Sequence, residues 1–283
     1  MSYIIFTPSK VRELLKEAGV EPRDYLGQNF LVSNKIAERV AEEALLSPDD
    51  TVLEVGPGLG ILTQELIKRA HRVIAVEKDR ALSEYLLKKF ARENVEIIKA
   101  DILYAASDLT PLNVSRYSVV SNLPYSISAR FLSTFMTRVH PKPEKMVLML
   151  QKEVAERLIA KPGDMTKLSV LAQTYGDIEW CFTVSPEQFY PIPKVISAVV
   201  RINLKKNLPS IFPQHEDIFW RIVRIGFSSK RKMLYRNLTN GLHLPVEESK
   251  KLLKTAYIRE NARAEELGVD AWLNLVDKYV KIY

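Results

Sequence analysis

A short stretch of the chain, residues 121–125 (Ser-Asn-Leu-Pro-Tyr), carries groups that suit the recognition of a flat base. The Asn122 side chain and the carbonyl of Leu123 or Pro124 can accept hydrogen bonds from an exocyclic amino group. Pro124 has a fixed φ and no N–H, so the turn is stiff. Tyr125 offers a face for stacking, worth about 1–3 kcal/mol per base. The stretch indicates a base-binding loop, although Asn and Pro are also common in ordinary turns.

A glycine-rich loop upstream indicates a second ligand. Residues 51–55 form a continuous β-type run, and residues 56–60 (Gly-Pro-Gly-Leu-Gly) follow it directly before a helical pattern. At a strand-to-helix turn, Gly56 and Gly58 let the backbone approach a ligand closely. Ile61 stands where the dinucleotide fingerprint has its last glycine, so a nucleoside without a pyrophosphate is favoured. S-adenosylmethionine fits this pattern, and NAD is a less supported alternative.

Acidic residues close two further apolar runs. Glu77 ends the run 72–76 at about the 20-residue spacing that lets a carboxylate bind both ribose hydroxyls. Asp101 follows the run 95–99 and would lie near an adenine amino group or serve as a helix N-cap. Because parallel strands end at one edge of a sheet, we expect a ligand across the carboxyl ends of the first four strands.

Alternating strand and helix patterns predict an α/β fold with a doubly wound, mostly parallel, Rossmann-like sheet. Four more strands are predicted, at residues 117–120, 146–150, 178–184 and 198–202. Helices are predicted from an N-cap at Ser9 to Gly19, over residues 129–139, and twice within residues 152–176. Residues 205–209 mark a change to helical patterns, so we predict two domains, 1–204 and a smaller all-helical 205–283.

Composition narrows the functional classes. The chain has 283 residues, is 47% hydrophobic, and carries no run of about 18 apolar residues and no signal-peptide pattern, so we expect a cytoplasmic protein, by default a monomer. Cys181 cannot form an internal disulfide, and the four histidines lack ligand spacing, so no metal is expected. The net charge of +7 favours an anionic partner such as nucleic acid, although basic enzymes without one are about as common.

Two other stretches contain residues suited to binding RNA. Lys230, Arg231 and Lys232 form a basic cluster that would contact phosphates, or that would be a solvated helix face. Phe189 lies in a proline-rich loop, residues 185–195. It is predicted either to plug the core or to form, opposite Tyr125, the second wall of a base sandwich.

In combination, these motifs resemble the KsgA-type rRNA adenine N6,N6-dimethyltransferases over nearly the whole chain. The resemblance rests on residues 27–31 (Gly-Gln-Asn-Phe-Leu), 54–60, 122–125, 189–195 and 230–234. It implies a class I methyltransferase domain, an RNA-binding C-terminal domain and S-adenosyl-L-methionine as methyl donor. The implied cofactor contacts are Asn29 (His in many members), Leu31, Gly56, Glu77, Asp101 and Asn122. The short C-terminal domain and compact loops look most like archaeal members.

The implied substrate is two adjacent adenosines in a hairpin near the 3′ end of small-subunit rRNA, within a pre-ribosomal particle. Asn122 and the carbonyl of Leu123 or Pro124 would bond the N6 hydrogens, so that the lone pair points at the methyl group. Tyr125 and Phe189 would hold the ring, which makes positioning the main catalytic device. Alternatives are a resistance-type methyltransferase of large-subunit rRNA, a non-catalytic assembly factor and a DNA adenine methylase.

Overall fold

Seven strands built from apolar, largely β-branched runs form one sheet in the computed structural model, which describes residues 4–22, 27–105 and 114–283. They are β2 (Thr51–Val55), β3 (Arg72–Glu77), β4 (Val95–Lys99), β5 (Ser118–Asn122), β6 (Lys145–Gln151), β7 (Gly176–Val184) and β9 (Ser197–Leu204). Every predicted strand overlaps one of them. The inner strands β2, β3, β5 and β6 are almost wholly buried, as expected for strands covered on both faces.

The strand order of this sheet is β4-β3-β2-β5-β6-β9-β7. Strands β2 to β6 are parallel to one another, and β9 is antiparallel to β6. The chain builds outward from β2 to β4 and then continues with β5 on the other side of β2. At such a switch point the loops after the two neighbouring strands diverge and leave a crevice at their carboxyl ends. The predicted Rossmann-like α/β fold is confirmed.

Helices flank the sheet, and several of them begin at a side-chain cap. The first helix starts at Pro8 with Thr7 as N-cap, whose Oγ1 accepts from Lys10 N at 3.1 Å. Ser9, the predicted N-cap, lies inside this helix, because Pro8 suits the first helical position. The helices up to the sixth are α1 (Pro8–Glu17), α2 (Asn34–Glu43), α3 (Thr63–Leu66), α4 (Arg80–Lys89), α5 (Ile102–Ala105) and α6 (Ser128–Thr137). Within the described ranges, no helix is long and apolar enough to span a membrane.

A separate two-stranded ribbon joins two motifs that are far apart in sequence. Strand β1 (Phe30–Leu31) pairs antiparallel with β8 (Phe189–Tyr190), with Phe30 opposite Tyr190. Val32 N extends the pairing by donating to Gln188 O at 2.8 Å. The segment around Phe189 was predicted as a loop. Two-residue strands carry too little local pattern to be recognised, and their pairing is set by long-range contacts.

A second compact unit contains the C-terminal helices. The first unit comprises Met1–Ala155 with Asp177–Leu204, and the second comprises Glu156–Gly176 with Lys205–Tyr283. The helices from the seventh onward are α7 (Lys152–Leu158), α8 (Lys167–Tyr175), α9 (Phe212–Gly226), α10 (Leu234–Leu242), α11 (Val246–Thr255) and α12 (Val269–Ile282).

The structure differs from the predicted domains at residues 156–176, which the sequence placed in domain 1–204. Gly163 N and Met165 N both donate to Glu265 O, at 2.8 and 3.1 Å. Helix α8 packs against α12, whose Trp272 is fully buried. The predicted change at residue 205 is also where the second unit resumes.

Gly60 provides a test of how tightly the glycine loop packs. Its φ is +75°, and an added Cβ would lie 2.6 Å from Phe90 Cε2. We expect Gly60→Ala to lower the free energy of unfolding by about 1–2 kcal/mol through backbone strain. Overpacking should add about 1–3 kcal/mol. Urea unfolding measures the sum of these two losses in the free energy of unfolding.

The matched control is Gly19→Ala, because Gly19 has φ +67° but nothing within 4 Å of the added Cβ. Gly19→Ala should lose only the part of the free energy of unfolding that comes from backbone strain. Equal losses in the two variants would mean that Phe90 moves aside at no cost, and the packing argument would fail.

Candidate functional site

A cavity of about 770 Å³ lies at the carboxyl ends of β2 to β5. Its lining comes from the loops after these four strands and from residues around β1. The structure brings ten of the predicted site residues to this lining: Asn29, Leu31, Gly56, Gly58, Glu77, Asp101, Asn122, Leu123, Pro124 and Tyr125. A ligand across the ends of the first four predicted strands therefore has a space of suitable size.

The glycine loop after β2 turns sharply beneath the cavity. Gly56, Gly58 and Gly60 all have positive φ, between +59° and +75°. Gly56 N donates to Val76 O at 2.9 Å, which ties the loop to β3. A Cβ on Gly58 would lie 3.1 Å from the Phe30 ring. The glycines are thus needed for the turn and for the close approach of β1.

Glu77 is fixed in place at the end of β3. Its Oε2 accepts from Gly58 N at 3.2 Å, and its Oε1 accepts from Asp79 N at 2.8 Å. Burial raises the pKa of the Glu77 carboxyl, and these backbone hydrogen bonds act against that rise. Each oxygen keeps a further lone pair. The carboxyl group is therefore oriented and can accept a pair of hydroxyls from a ligand.

Asp101 has one of the two roles that the sequence left open for it, that of a helix cap, and its contact with an adenine amino group stays a prediction. It caps α5, since Oδ1 accepts from Leu103 N at 3.0 Å, and it also lines the cavity. Its Oδ2 lies 2.9 Å from Lys78 Nζ. Partial burial acts to raise the pKa of Asp101, but Lys78 and Leu103 lower it below the usual value. Asp101 is therefore held ionised at the cavity rim.

Glu54 is a cavity residue that the sequence reasoning missed. It lies in β2, is buried, and accepts from Thr63 Oγ1 at 2.6 Å. Burial raises the pKa of Glu54 to about 8, with the Thr63 bond acting against the rise. The sequence did contain a signal for it, because an acidic residue is rarely found in a strand that is buried on both faces.

A partly buried lysine supports the glycine loop from behind. Lys89 Nζ donates to Leu59 O at 2.7 Å and lies 4.8 Å from the Phe6 ring centroid and 5.1 Å from that of Phe90. Burial lowers the pKa of Lys89 to about 7, against the attraction of Glu54. Lys89 thus fixes a carbonyl of the loop without reaching the cavity itself.

The base-binding loop follows β5 and is tied to its neighbours by hydrogen bonds. Asn122 Nδ2 donates to Asn29 O at 3.4 Å, which leaves Oδ1 as an acceptor. Leu123 N donates to Met149 O at 3.2 Å. Pro124 O already accepts from Ile127 N at 3.1 Å and Ser128 Oγ at 3.3 Å. Of the two carbonyls left open by the sequence, that of Leu123 is therefore the better acceptor for a ligand.

The two aromatic residues predicted to form a sandwich have different positions. Tyr125 lines the cavity, and its hydroxyl lies 2.7 Å from Ser197 Oγ. Phe189 is 1% exposed, belongs to the hydrophobic core and is not part of the lining. This burial agrees with Phe189 as a core plug, and its role as a second wall stays a prediction.

The predicted basic cluster lies in the second unit, in the turn between α9 and α10. Lys230, Arg231 and Lys232 are all exposed. Asn237 Nδ2 fixes this turn by donating to Gly226 O at 2.6 Å and to Ser229 O at 3.1 Å. The cluster is thus presented by an ordered turn and not by the face of a helix.

Metal ligands and reactive thiols are not evident around the cavity. Over the residues that the structure describes, no three His, Cys, Asp or Glu side chains are grouped to hold a metal ion. Cys181 lies in β7, partly buried, and burial raises the pKa of its thiol to about 11. This thiol is therefore protonated and unreactive near neutral pH.

Glu54 makes stability depend on pH in a defined direction. Its pKa of about 8 in the folded protein exceeds the ordinary 4.5, so the unfolded chain releases this proton first as the pH rises. The free energy of unfolding therefore falls as the pH rises from 4.5 to about 8. Lys89 acts oppositely above pH 7, since its folded pKa is lowered. We expect Glu54→Gln to flatten the decline between pH 5 and 7, by about 2–3 kcal/mol.

Urea unfolding at pH 5, 6 and 7 measures this slope. Exposed Glu84, on α4, provides the control Glu84→Gln, which should keep the decline of the parent protein. An unchanged slope in Glu54→Gln would mean that Glu54 is ionised throughout this range in the folded protein.

Comparison with known proteins agrees with this geometry. The family described as "Ribosomal RNA adenine dimethylase" matches residues 20–281. "Ribosomal RNA small subunit methyltransferase A" of Dehalococcoides mccartyi is 39% identical over 280 residues, 97% of this chain and 95% of the relative. The protein of the same description from Geobacillus kaustophilus is 35% identical, over 99% of this chain and 98% of the relative. These relatives are bacterial, so the expected likeness to archaeal members is not supported.

Solved structures lead to the same group. A dimethyladenosine transferase from Plasmodium falciparum superposes with a TM-score of 0.75 at 25% identity, covering 89% of this chain and 98% of that protein. The 23S rRNA methyltransferase ErmE superposes with a TM-score of 0.67 at 27% identity, covering 88% and 99%. The chain, with its glycine loop, strand-end acids and Asn-Leu-Pro-Tyr loop around one cavity, belongs to the ribosomal RNA adenine dimethylase family.

Proposed function

We propose that this chain transfers two methyl groups to N6 of each of two adjacent adenosines near the 3′ end of small-subunit rRNA. The observation that carries the proposal is the shared cavity. An acid-lined nucleoside site and an Asn-Leu-Pro-Tyr loop with acceptors for an amino group open into the same space. The relatives described as small-subunit methyltransferases support the choice of RNA.

The methyl donor of this family, S-adenosylmethionine, fits the residues that line the cavity. Glu77, held by two backbone N–H groups, would accept the ribose hydroxyls. Asp101 would accept from the adenine amino group, and buried Glu54 lies where the positively charged amino-acid part would approach the glycine loop. Bound there, the donor supplies an electrophilic methyl group.

The Asn122 loop would act on the nitrogen that receives this methyl group. N6 of adenine is a weak nucleophile, because its lone pair is delocalised into the ring. Oδ1 of Asn122 and the carbonyl of Leu123 would accept hydrogen bonds from its two hydrogens and favour a pyramidal nitrogen. The hydrogen bond from Asn122 Nδ2 to Asn29 O sets which end of the amide serves as acceptor. Catalysis would then come mainly from positioning.

Tyr125 would hold the base after it leaves its stack. Unstacking costs a few kcal/mol, and one aromatic face offsets about 1–3 kcal/mol of that. The hydrogen bond to Ser197 Oγ fixes the ring from its far end. Phe189 remains the candidate for the opposite wall, and its buried ring would have to face the cavity to serve there.

We also propose that the second unit binds RNA through Lys230, Arg231 and Lys232. Lys230 Nζ lies 3.9 Å from Glu265 Oε2, too long for a strong ion pair, and all three side chains are exposed.

The protein would act as a monomer in the cytoplasm, on a pre-ribosomal particle. A second candidate substrate is large-subunit rRNA, because the 23S rRNA methyltransferase ErmE shares the fold.

The test is transfer of labelled methyl to unmethylated small subunits, large subunits and naked rRNA in parallel, followed by nucleoside analysis. Dimethyladenosine confined to small subunits is the expected result. Label on large-subunit RNA would select the second candidate. Absence of label from all three, with S-adenosylmethionine bound, would overturn the proposal.

Asn122→Ala should lower turnover in this assay by about 10²- to 10³-fold, in the range seen when one preorganised hydrogen-bonding group is removed. The affinity of this variant for S-adenosylmethionine should change little. Asn94→Ala is the control, since Asn94 also uses its amide to bond backbone carbonyls, those of Ala70 and His71, away from the cavity. Turnover equal to that of Asn94→Ala would exclude the role given to Asn122.

Replacing Lys230, Arg231 and Lys232 together with Gln should weaken RNA binding and flatten its dependence on salt. Each lost phosphate contact lowers the slope of log K against log salt by about 0.7–0.9. The control is the pair Lys251→Gln and Lys254→Gln, exposed lysines on α11 of the same unit. If both sets gave the same slope, the cluster would be only a solvated surface.

A further inference from the structure

A second groove, here called the α1–β8 groove, opens beside the cavity. It has a volume of about 670 Å³ and takes its lining from α1, from the segment after α1 and from β8. The lining residues are Arg12, Leu15, Lys16, Gly19, Val20, Glu21, Pro22 and Tyr190. Three of them, Gly19, Val20 and Glu21, also line the main cavity. The two spaces are therefore adjacent.

The chemistry of the groove differs from that of the cavity. Buried Leu15 and Val20 provide an apolar floor. Arg12 and Lys16 are exposed and lie one helical turn apart, so they share a face of α1. Over the described residues, neither has an acidic partner within salt-bridge distance. Among the described lining residues Glu21 is the single acid, so together these residues carry a surplus of positive charge.

Tyr190 adds an aromatic surface to this basic wall. Its ring is partly exposed, and the Arg12 guanidinium carbon lies 5.7 Å from its centroid. Exposed Arg beside an aromatic ring is a common arrangement for holding an unpaired base and its phosphate. Cationic side chains are a poor choice for the methyl donor, whose sulfonium is itself positive.

The groove is connected to the base-binding loop by a short series of contacts. Asn122 bonds to Asn29 O, Asn29 precedes Phe30, and Phe30 stands opposite Tyr190 in the ribbon. Opposed residues of antiparallel strands have Cα atoms only about 5 Å apart. A strand of RNA with one base at Asn122 would thus have its next nucleotide close to Tyr190.

We infer that the α1–β8 groove is an RNA subsite that binds the nucleotide next to the adenosine being methylated. Arg12 and Lys16 bind its phosphates, and Tyr190 stacks on its base. The inference rests on the proposed function for the position of the target base. It assigns to the chain's N-terminal helix a direct part in holding unpaired RNA.

The experiment compares variants for binding of an RNA hairpin with two adjacent loop adenosines, at several salt concentrations. Arg12→Gln with Lys16→Gln should lower affinity about tenfold at 0.1 M salt and reduce the salt slope by about 1.4, or 0.7 per single-strand phosphate contact. The control is Lys10→Gln with Lys35→Gln, which removes equal charge outside the groove. Lys10 is paired with Glu13 at 2.6 Å, and Lys35 is exposed on α2.

Tyr190→Leu should weaken binding about five- to 150-fold, the equivalent of one lost stack, whereas Tyr190→Phe keeps the ring and should retain most affinity. Thermal melting identifies any variant that is misfolded, and Tyr190→Phe keeps the stacking test valid if Tyr190→Leu unfolds. Affinity for S-adenosylhomocysteine should stay constant in all variants.

Groove variants that match the control pair in both affinity and slope would overturn the inference. So would a loss of S-adenosylhomocysteine affinity with RNA binding unchanged, because the groove would then belong to the donor cavity. Failure of the proposed function is distinguishable, since it appears as absent methyl transfer by the parent protein. A salt-slope change confined to the groove variants would uphold the subsite even then.

Discussion

The parallel pairing of β5 with β2 determines where every other part of the site can lie. The glycine loop leaves the end of β2 and the Asn-Leu-Pro-Tyr loop leaves the end of β5, so both open at the same edge of the sheet. Ser121 Oγ strengthens this junction by donating to Val55 O at 2.6 Å, inside the core. A shift of register by one residue would turn Ser121 and its neighbours to the opposite face of the sheet. The donor side and the acceptor side would then no longer face one cavity.

Charge is distributed unevenly around this junction. Glu54, Glu77 and Asp101 line the cavity together with the cations Lys78 and Arg80, while Arg12 and Lys16 are exposed on α1 of the same unit. Ionised carboxyl groups favour a cationic donor, and exposed cations favour polyanionic RNA. The carboxyl groups also limit how closely phosphates can approach them.

Much of the fold and site could be predicted from sequence, because the deciding signals were local. The strands were continuous apolar runs, and Glu77, Asp101 and Asn122 each stood at or just past a strand end. The pairing of β1 with β8 could not be predicted, since two residues cannot define a period and the partners lie about 160 positions apart.

Other differences have a physical origin too. Residues 156–176 were placed with the sheet because they lie between two of its strands in sequence, whereas hydrogen bonds to Glu265 join them to the C-terminal helices. Glu54 was passed over because an acid in an apolar run resembles an exposed position on an edge strand. In the fold that position is central, and the acid is kept largely neutral by burial.

The short ribbon of β1 and β8 has a mechanical consequence for a reaction that needs several turnovers at one place. One of its strands, through Leu31, lines the donor cavity, and the other ends at Tyr190. Backbone pairing couples the two strands, so a displacement of one is passed to the other. With RNA in the proposed subsite, a movement of β1 as spent donor leaves would reach β8 and the nucleotide beside it. The stiffness of this ribbon, together with the donor pocket, would then set how long the nucleic acid stays on the enzyme between successive transfers.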